Sequence, residues 1–217
     1  MKPNDLRLSD ANPLSRESDS SESHAVLHTG RLILTPSDPH LAPDVDLLIE
    51  GLSQFGLLGA SVFLDAPLTG EGDRTFVIGA GFLSLLIFAG CAVQIRDDRR
   101  DDGRFSHIRI PPVSPHPRLL TGRNTRSPRC AGCREPLSNW RALAERWAAH
   151  PHAGVRCPVC GETRPPWLWD WKQHGGFGRA FVQIEEVFPG EAVPTPTLFE
   201  RLIRISGIGW RHFYIQD

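Results

Sequence analysis

The chain has 217 residues, of which 24 are Lys or Arg and 25 are Asp or Glu, so its formal net charge at pH 7 is −1. This length allows one domain or two small domains with a real core, and a hydrophobic fraction of 40% excludes a wholly disordered chain. The near-zero net charge gives no reason for the whole chain to bind nucleic acid or an anionic membrane. The positive charge is concentrated in residues 118–179, which contain ten Arg, one Lys and four acidic residues.

The N-terminal segment is polar and acidic. Residues 1–30 include the stretch RESDSSESH and no apolar run of signal-peptide length. Such a composition buries too little apolar surface to offset the entropy of ordering. We therefore predict a disordered tail over residues 1–30 and, because no export signal is visible, a cytoplasmic protein.

Residues 31–112 are predicted to form an N-terminal α/β portion. RLILTP (31–36) is typical of a short strand that ends at a proline. A helix is expected after Pro43 and Asp44, because apolar residues then recur at helical spacing up to a stop at Gly56 or Gly59. Further along, the sequence predicts a strand over 75–78, a helix over 80–89, a strand over 92–95 and a strand over 105–110.

The segment between Arg74 and Arg96 contains no charged residue. It is long enough to span a bilayer, but glycines and polar residues interrupt it and acidic residues crowd both flanks. A buried strand, helix and strand explain it equally well, so we expect no membrane span.

The same segment allows a dinucleotide-binding interpretation. A strand runs into Gly79 and Gly81, Gly90 precedes a second strand, and Asp97 lies where a ribose-binding carboxylate is expected. Ser84 occupies the third glycine position, and the predicted helix is short for such a crossover. The alternative is a buried, glycine-rich packing segment.

Residues 113–176 are predicted to form a cysteine-containing module. Residues 113–129 are rich in Pro and Arg and are expected to be irregular. A helix with Ser138 as its cap is predicted next, with Trp140, Leu143, Ala144 and Trp147 on one face. Trp167, Trp169 and Trp171 alternate as on one face of an extended segment, and GGFG (175–178) is expected to be a break.

Residues 177–217 are predicted to form a C-terminal β-α-β portion. FVQIEEVF (181–188) is typical of a strand. The next segment indicates a helix capped by Thr195 or Thr197 and ended by Gly207, and WRHFYIQD closes the chain as a strand. The predicted fold class is therefore α+β: a small mixed α/β body with a four-cysteine module and a C-terminal β-α-β unit.

Four of the five cysteines form two C-x-x-C pairs, Cys130 with Cys133 and Cys157 with Cys160. Two such turns supply four thiolates, a tetrahedral set that Zn²⁺ accepts without geometric penalty. Iron is the other metal that this set accommodates, and His150 and His152 are nearby spare ligands. Two disulfides would require an oxidising compartment, and a redox pair of the thioredoxin type needs only one C-x-x-C.

The second pair reads CPVCG and resembles the zinc knuckle of zinc-ribbon and rubredoxin-like modules. In the first pair, CAGC, Arg134 stands where glycine often follows in those families. The resemblance covers only the cysteine module, and it implies one structural Zn²⁺ without implying a function.

Three functions follow from these patterns. The first is a zinc-stabilised, non-catalytic adaptor with a protein partner. The second is a nucleic-acid-binding protein that meets phosphates with an arginine-rich stretch, namely Arg118, Arg123, Arg126, Arg129 and Arg134. The third is an enzyme that uses a nucleotide cofactor at Gly79–Asp97 or the thiol of Cys91.

Overall fold

The computed structural model describes residues 30–63, 72–89, 105–150 and 153–217. Within these ranges the chain forms four helices: α1 (Val45–Gln54), α2 (Phe82–Leu85), α3 (Trp140–Ala149) and α4 (Pro196–Ser206). The strands are β1 (Gly30–Pro36), β2 (Leu58–Val62), β3 (Arg74–Ile78), β4 (Leu86–Phe88), β5 (His107–Ile110), β6 (Arg118–Thr121), β7 (Val155–Arg156), β8 (Thr163–Arg164), β9 (Gly175–Gly178), β10 (Val182–Glu185), β11 (Ala192–Pro194) and β12 (Trp210–Gln216). The predicted α+β class is confirmed.

A six-stranded antiparallel sheet with the order β12-β1-β10-β5-β3-β2 forms the body of the protein. Alternation in the strands places one apolar row, including Leu32, Leu34 and Ile108, against helices α1 and α4. Leu48 and Leu52 complete this core from α1. The apolar face that the sequence predicted for α1 is therefore the face that packs against the sheet.

Both long helices of the body begin and end as the sequence predicted. The Asp44 carboxylate accepts hydrogen bonds from two backbone amides of α1. The Thr195 hydroxyl accepts from the Leu198 amide at the start of α4, and Gly207 ends that helix with a left-handed backbone. Strands β10 and β12 both pair antiparallel with β1 and so run parallel to each other, with α4 in the connection between them.

The uncharged segment differs from its prediction. The helix expected over 80–89 is the four-residue α2, because the chain turns extended at Leu86 and β4 pairs with β11. A long-range strand pair has overridden the local helix propensity. The strand expected over 92–95 lies outside the described residues. No helix in the described part of the chain is long and apolar enough to cross a membrane.

Two segments predicted to lack regular structure pair as strands. Residues 118–121, expected to be irregular, form β6, and GGFG, expected to be a break, forms its partner β9. A Cβ on Gly178 would clash with the Thr35 hydroxyl, and one on Gly176 would lie 2.8 Å from the Phe213 ring. The glycines therefore allow β9 to lie tightly against β1 and β12, which local sequence does not reveal.

The module has a core of its own. Trp140 and Trp147, on the predicted face of α3, pack with Trp171 and Phe177 in edge-to-face contacts. The α3 helix begins after Asn139 without a side-chain cap, so the cap predicted at Ser138 was wrong.

The tryptophan segment after the second cysteine pair is less regular than predicted. Pro166–Leu168 form one 3₁₀ turn, so the expected extended segment is broken there. Trp169 and Trp171 still reach the module core, and Trp167 packs against its edge.

Candidate metal centre and basic surface

The structure brings the four cysteines of the two C-x-x-C pairs into one cluster. Their Sγ atoms all lie within 4.8 Å of one another. Cys130 Sγ is 3.7 Å from Cys160 Sγ, and Cys133 Sγ is 3.5 Å from Cys157 Sγ. Four sulfurs about 2.3 Å from a central Zn²⁺ would be about 3.8 Å apart, whereas disulfide sulfurs are about 2.0 Å apart. The spacing matches a metal-binding knuckle and not a pair of disulfides.

The two cysteine turns have the same backbone hydrogen bonds. In the first, the Arg134 amide donates to the Cys130 carbonyl at 2.9 Å; in the second, the Gly161 amide donates to the Cys157 carbonyl at 3.0 Å. The amides of Cys130 and Cys157 donate in turn to carbonyls five residues further on, each at 2.8 Å. This repetition gives the four thiols a pseudo-symmetric arrangement around one point.

The turns also share an unusual backbone conformation. Gly161 has φ = 73° and Arg134 has φ = 66°, so a residue with a side chain occupies the left-handed position in the first turn. The Arg134 guanidinium forms an ion pair with Asp170 at 2.9 Å. The departure from the knuckle pattern at Arg134 therefore changes the residue but preserves the turn.

Electrostatics within the cluster favour a bound cation. Backbone amides of Cys160 and Val159 donate to the sulfur of Cys157 and lower the pKa of its thiol to about 7. Although the Glu162 amide acts in the opposite direction, the adjacent Cys157 sulfur raises the pKa of Cys160 to about 12. Neighbouring thiolates repel one another, and a central divalent cation removes this penalty.

The predicted basic residues are all exposed, but the structure divides them into two groups. Arg129 and Arg134 have structural contacts, since Arg129 donates to the Arg134 carbonyl and Arg134 pairs with Asp170. The side chains of Arg118, Arg123 and Arg126 form no hydrogen bond or ion pair with a described residue. Burial lowers the pKa of His174, and the nearby charges of Arg126 and Lys172 lower it further.

The dinucleotide-binding interpretation is wrong for the described part of its motif. Strand β3 is flanked by β2 and β5, both antiparallel to it, so the strand–helix–strand geometry of that motif does not form. A Cβ on Gly79 would clash with the carbonyl of Gly56, which identifies Gly79 as a close-packing position. Gly90, Cys91, Asp97 and His152 lie outside the described residues, and His150 is not among the clustered ligands.

Sequence reasoning missed a buried charged network on the sheet face opposite the helices. Arg109 donates to Glu185 at 2.8 Å and to Gln183 at 3.1 Å, and Arg31 donates to the same Gln183 oxygen at 3.1 Å. Asp73 accepts from Arg109 at 3.3 Å. These residues alternate with apolar ones, as in any half-exposed strand, so the sequence carries no signal that this face is buried.

No family model, curated protein or solved structure matches the chain. Its candidate functions therefore rest on the geometry of the cysteine cluster and on the basic surface, by which we mean the exposed residues Arg118, Arg123 and Arg126.

Proposed function

We propose that this chain is a zinc-stabilised, non-catalytic binding protein. Its single structural Zn²⁺ is held by Cys130, Cys133, Cys157 and Cys160 in a zinc-ribbon-like knuckle module. The observation that carries the proposal is the spacing of the four sulfurs, which is that of a tetrahedral thiolate site.

The donor set supports a structural rather than a catalytic ion. Four thiolates complete a tetrahedral shell, and catalytic zinc sites keep one position for water or substrate. Cys130 and Cys157 are buried in the module core, so the ion would join the two turns to the tryptophan cluster. Iron would fit the same sulfurs but would give visible absorption bands that zinc lacks.

The basic surface supports binding as the role of the module. Arg123 and Arg126 are exposed, Arg118 lies over the Phe181 ring, and none of the three forms an ion pair with a described residue. The whole chain has a net charge of −1, so its positive charge is local and would not attract a long polyanion. The partner we propose is therefore a protein with a compact acidic patch. The second candidate is nucleic acid, which the same exposed arginines favour.

Binding measurements at graded salt concentration test the two partners separately. The metal-loaded chain is titrated with an acidic poly-glutamate peptide and with a fluorescent single-stranded oligonucleotide. Each arginine that meets a phosphate contributes about 0.7 to the salt slope on a single strand, so Arg123→Ala and Arg126→Ala would each reduce it by about that amount. Arg204→Ala, an exposed change on α4, is the matched control.

The outcomes separate the two candidates. Peptide binding that weakens in the Arg123 and Arg126 variants supports the protein-partner proposal. Oligonucleotide binding with the reduced slopes supports nucleic acid instead. If neither probe binds at low salt, or if Arg204→Ala has the same effect as the other variants, the basic surface is not a binding surface.

A further inference from the structure

The four clustered cysteines differ in their access to solvent. Cys130 and Cys157, the first cysteines of the two turns, are buried and belong to the module core. Cys133 and Cys160, the second cysteines, are exposed. Each turn therefore presents one cysteine to water and keeps the other inside, so a dissolved reagent meets Cys133 and Cys160 first.

The turn that contains Cys160 is the more open of the two. It borders a recess of about 530 Å³, which is lined by Arg156, Cys157, Pro158, Val159, Cys160 and Gly161. The Glu162 side chain covers one side of the first turn, because a Cβ on Gly132 would be only 2.9 Å from a carboxylate oxygen of Glu162. Cys160 is therefore the cysteine that a small oxidant in water reaches most easily.

Each exposed cysteine has a buried cysteine of the other turn beside it. Cys160 Sγ is 3.7 Å from Cys130 Sγ, and Cys133 Sγ is 3.5 Å from Cys157 Sγ. A disulfide needs sulfurs about 2.0 Å apart, so a bond across the turns requires an approach of less than about 2 Å. The backbone hydrogen bonds inside each turn can stay in place during this approach, since one turn moves towards the other as a unit. A bond within one turn would have to distort that turn.

From these observations we propose that the cysteine cluster is a site of reversible oxidation by peroxide. Cys160 is the residue that the peroxide oxidises, and Cys130 then forms a disulfide with it across the two turns. The loss of zinc on oxidation rests on the proposed function of the cluster as a zinc site, whereas the choice of cysteines rests on access and distance alone.

The reaction balances with one molecule of hydrogen peroxide per disulfide. The Cys160 thiolate attacks one peroxide oxygen, so that an S–O bond forms, the O–O bond breaks and hydroxide leaves. The Cys130 thiolate then attacks the sulfur of the resulting sulfenic acid, which forms the S–S bond and releases a second hydroxide. Two thiolates have lost one electron each, and the peroxide has gained two. The remaining Cys133 and Cys157 cannot complete a tetrahedral shell by themselves, so the metal site is lost.

Limited oxidation of the zinc-loaded full chain tests the proposal. Cys91→Ser leaves the four clustered cysteines as the only thiols. The reduced chain receives one equivalent of hydrogen peroxide; a chromogenic chelator measures released zinc, and differential alkylation with mass spectrometry maps the disulfides. We expect Cys130–Cys160 as the first bond, with Cys133 and Cys157 still alkylated as thiols and zinc released in step with the bond. Dithiothreitol and added zinc should restore the starting state.

Two variants of the first turn are a matched pair. Cys130→Ser and Cys133→Ser each remove one of the four ligands, so both weaken the metal site in the same way. Only Cys130→Ser removes the proposed partner of Cys160. Trapping of sulfenic acid at Cys160 by dimedone should therefore be at least about tenfold greater in Cys130→Ser than in Cys133→Ser.

Three results would overturn the proposal. These are a first disulfide between any other two cysteines, a cluster that keeps its thiols in excess peroxide, and equal trapping at Cys160 in the two variants. A reduced chain that holds no zinc would contradict the proposed zinc site instead, and the disulfide map of that metal-free chain would still decide whether Cys160 pairs with Cys130.

Discussion

Among single residues, Arg134 and Gly161 occupy the same position in the two cysteine turns, directly after the second cysteine of each pair. Gly161 and Arg134 both have left-handed backbones, which cost a residue with a Cβ about 1–2 kcal/mol. Glycine avoids this cost in the second turn. In the first turn Arg134 bears it and is partly compensated by an exposed ion pair with Asp170, a contact usually worth less than about 1 kcal/mol.

Because of this difference, adding a side chain at position 161 and removing one at position 134 should have unequal effects on stability. Gly161→Ala should lower the free energy of unfolding of the metal-loaded chain by about 1 kcal/mol, because it introduces a Cβ at positive φ. Arg134→Gly should change it by less than about 0.5 kcal/mol, since relief of strain and loss of the ion pair offset each other. Urea unfolding followed by tryptophan fluorescence measures both. Equal destabilisation by the two changes would contradict the shared turn.

A buried histidine makes stability depend on pH. Burial lowers the pKa of His107 below its usual 6.5, although its hydrogen bond to the Phe105 carbonyl and the charge of Glu185 act against this, and Arg109 adds to it. As pH falls below about 6.5, the unfolded state takes up the proton first, so the free energy of unfolding falls.

The substitution His107→Asn isolates this contribution. Its amide can still donate to the Phe105 carbonyl but does not titrate, so the loss of stability between pH 7.5 and 5.5 should be smaller than in wild type. Denaturant unfolding at each pH gives the comparison. An unchanged pH dependence would show that His107 titrates alike in the folded and unfolded states.

At the scale of elements, the charged network joins four strands of the main sheet. Glu185 on β10 accepts from Arg109 on β5, Gln183 on β10 accepts from both Arg109 and Arg31, and Asp73 precedes β3. The side chains of Arg31, Arg109 and Glu185 are only 16%, 15% and 10% exposed, so solvent screens them little. Removal of one partner leaves a buried charge without its main compensation.

Glu185→Gln is therefore expected to destabilise the protein by about 3 kcal/mol. Glu200→Gln, an exposed change on α4, is expected to stay within about 0.5 kcal/mol of wild type. Thermal or urea unfolding of both variants provides the test. A loss below about 1 kcal/mol for Glu185→Gln would mean that the network does not hold the strands together.

The elements that the sequence predicted well are those whose signals are local. Helices α1 and α4 have caps and an apolar face in their own residues, and the two C-x-x-C spacings identify the cysteine cluster. The failures at α2, β6 and β9 share a cause: their strand partners are distant in the chain. Gly176 and Gly178 lie in a strand because β9 pairs with β6. They are glycines because Phe213 and Thr35 leave no room for a Cβ, and neither fact can be read from the local sequence.

At the scale of the whole molecule, the module is attached to the outer edge of the main sheet. The Arg123 amide donates to the Gln216 carbonyl at 2.6 Å, and the Asn124 side chain bonds both the Gln216 amide and the Tyr214 carbonyl. The Tyr214 amide in turn donates to the Gln173 carbonyl. Module segments therefore complete the hydrogen bonding of β12, which would otherwise be an open edge.

This attachment predicts that metal removal is felt in the sheet. If the metal orders the module, a chelator should increase amide hydrogen exchange at Tyr214 and Gln216 along with the module core. The Ile184 amide, in the centre of the sheet, should keep its protection. Exchange followed by mass spectrometry or NMR separates these positions. Unchanged protection at β12 after complete metal removal would show that the module stays folded and attached without the ion.

Elemental analysis of the reduced, tag-free protein, with unfolding measured on the same samples, is the decisive test of the structural zinc site. We expect about one zinc per chain. Replacing any one of Cys130, Cys133, Cys157 or Cys160 by Ser should remove the zinc and destabilise the module. Cys91→Ser, the control at the fifth cysteine, should keep its zinc. Less than about half an equivalent of metal in a wild-type protein of undiminished stability would contradict the structural zinc site.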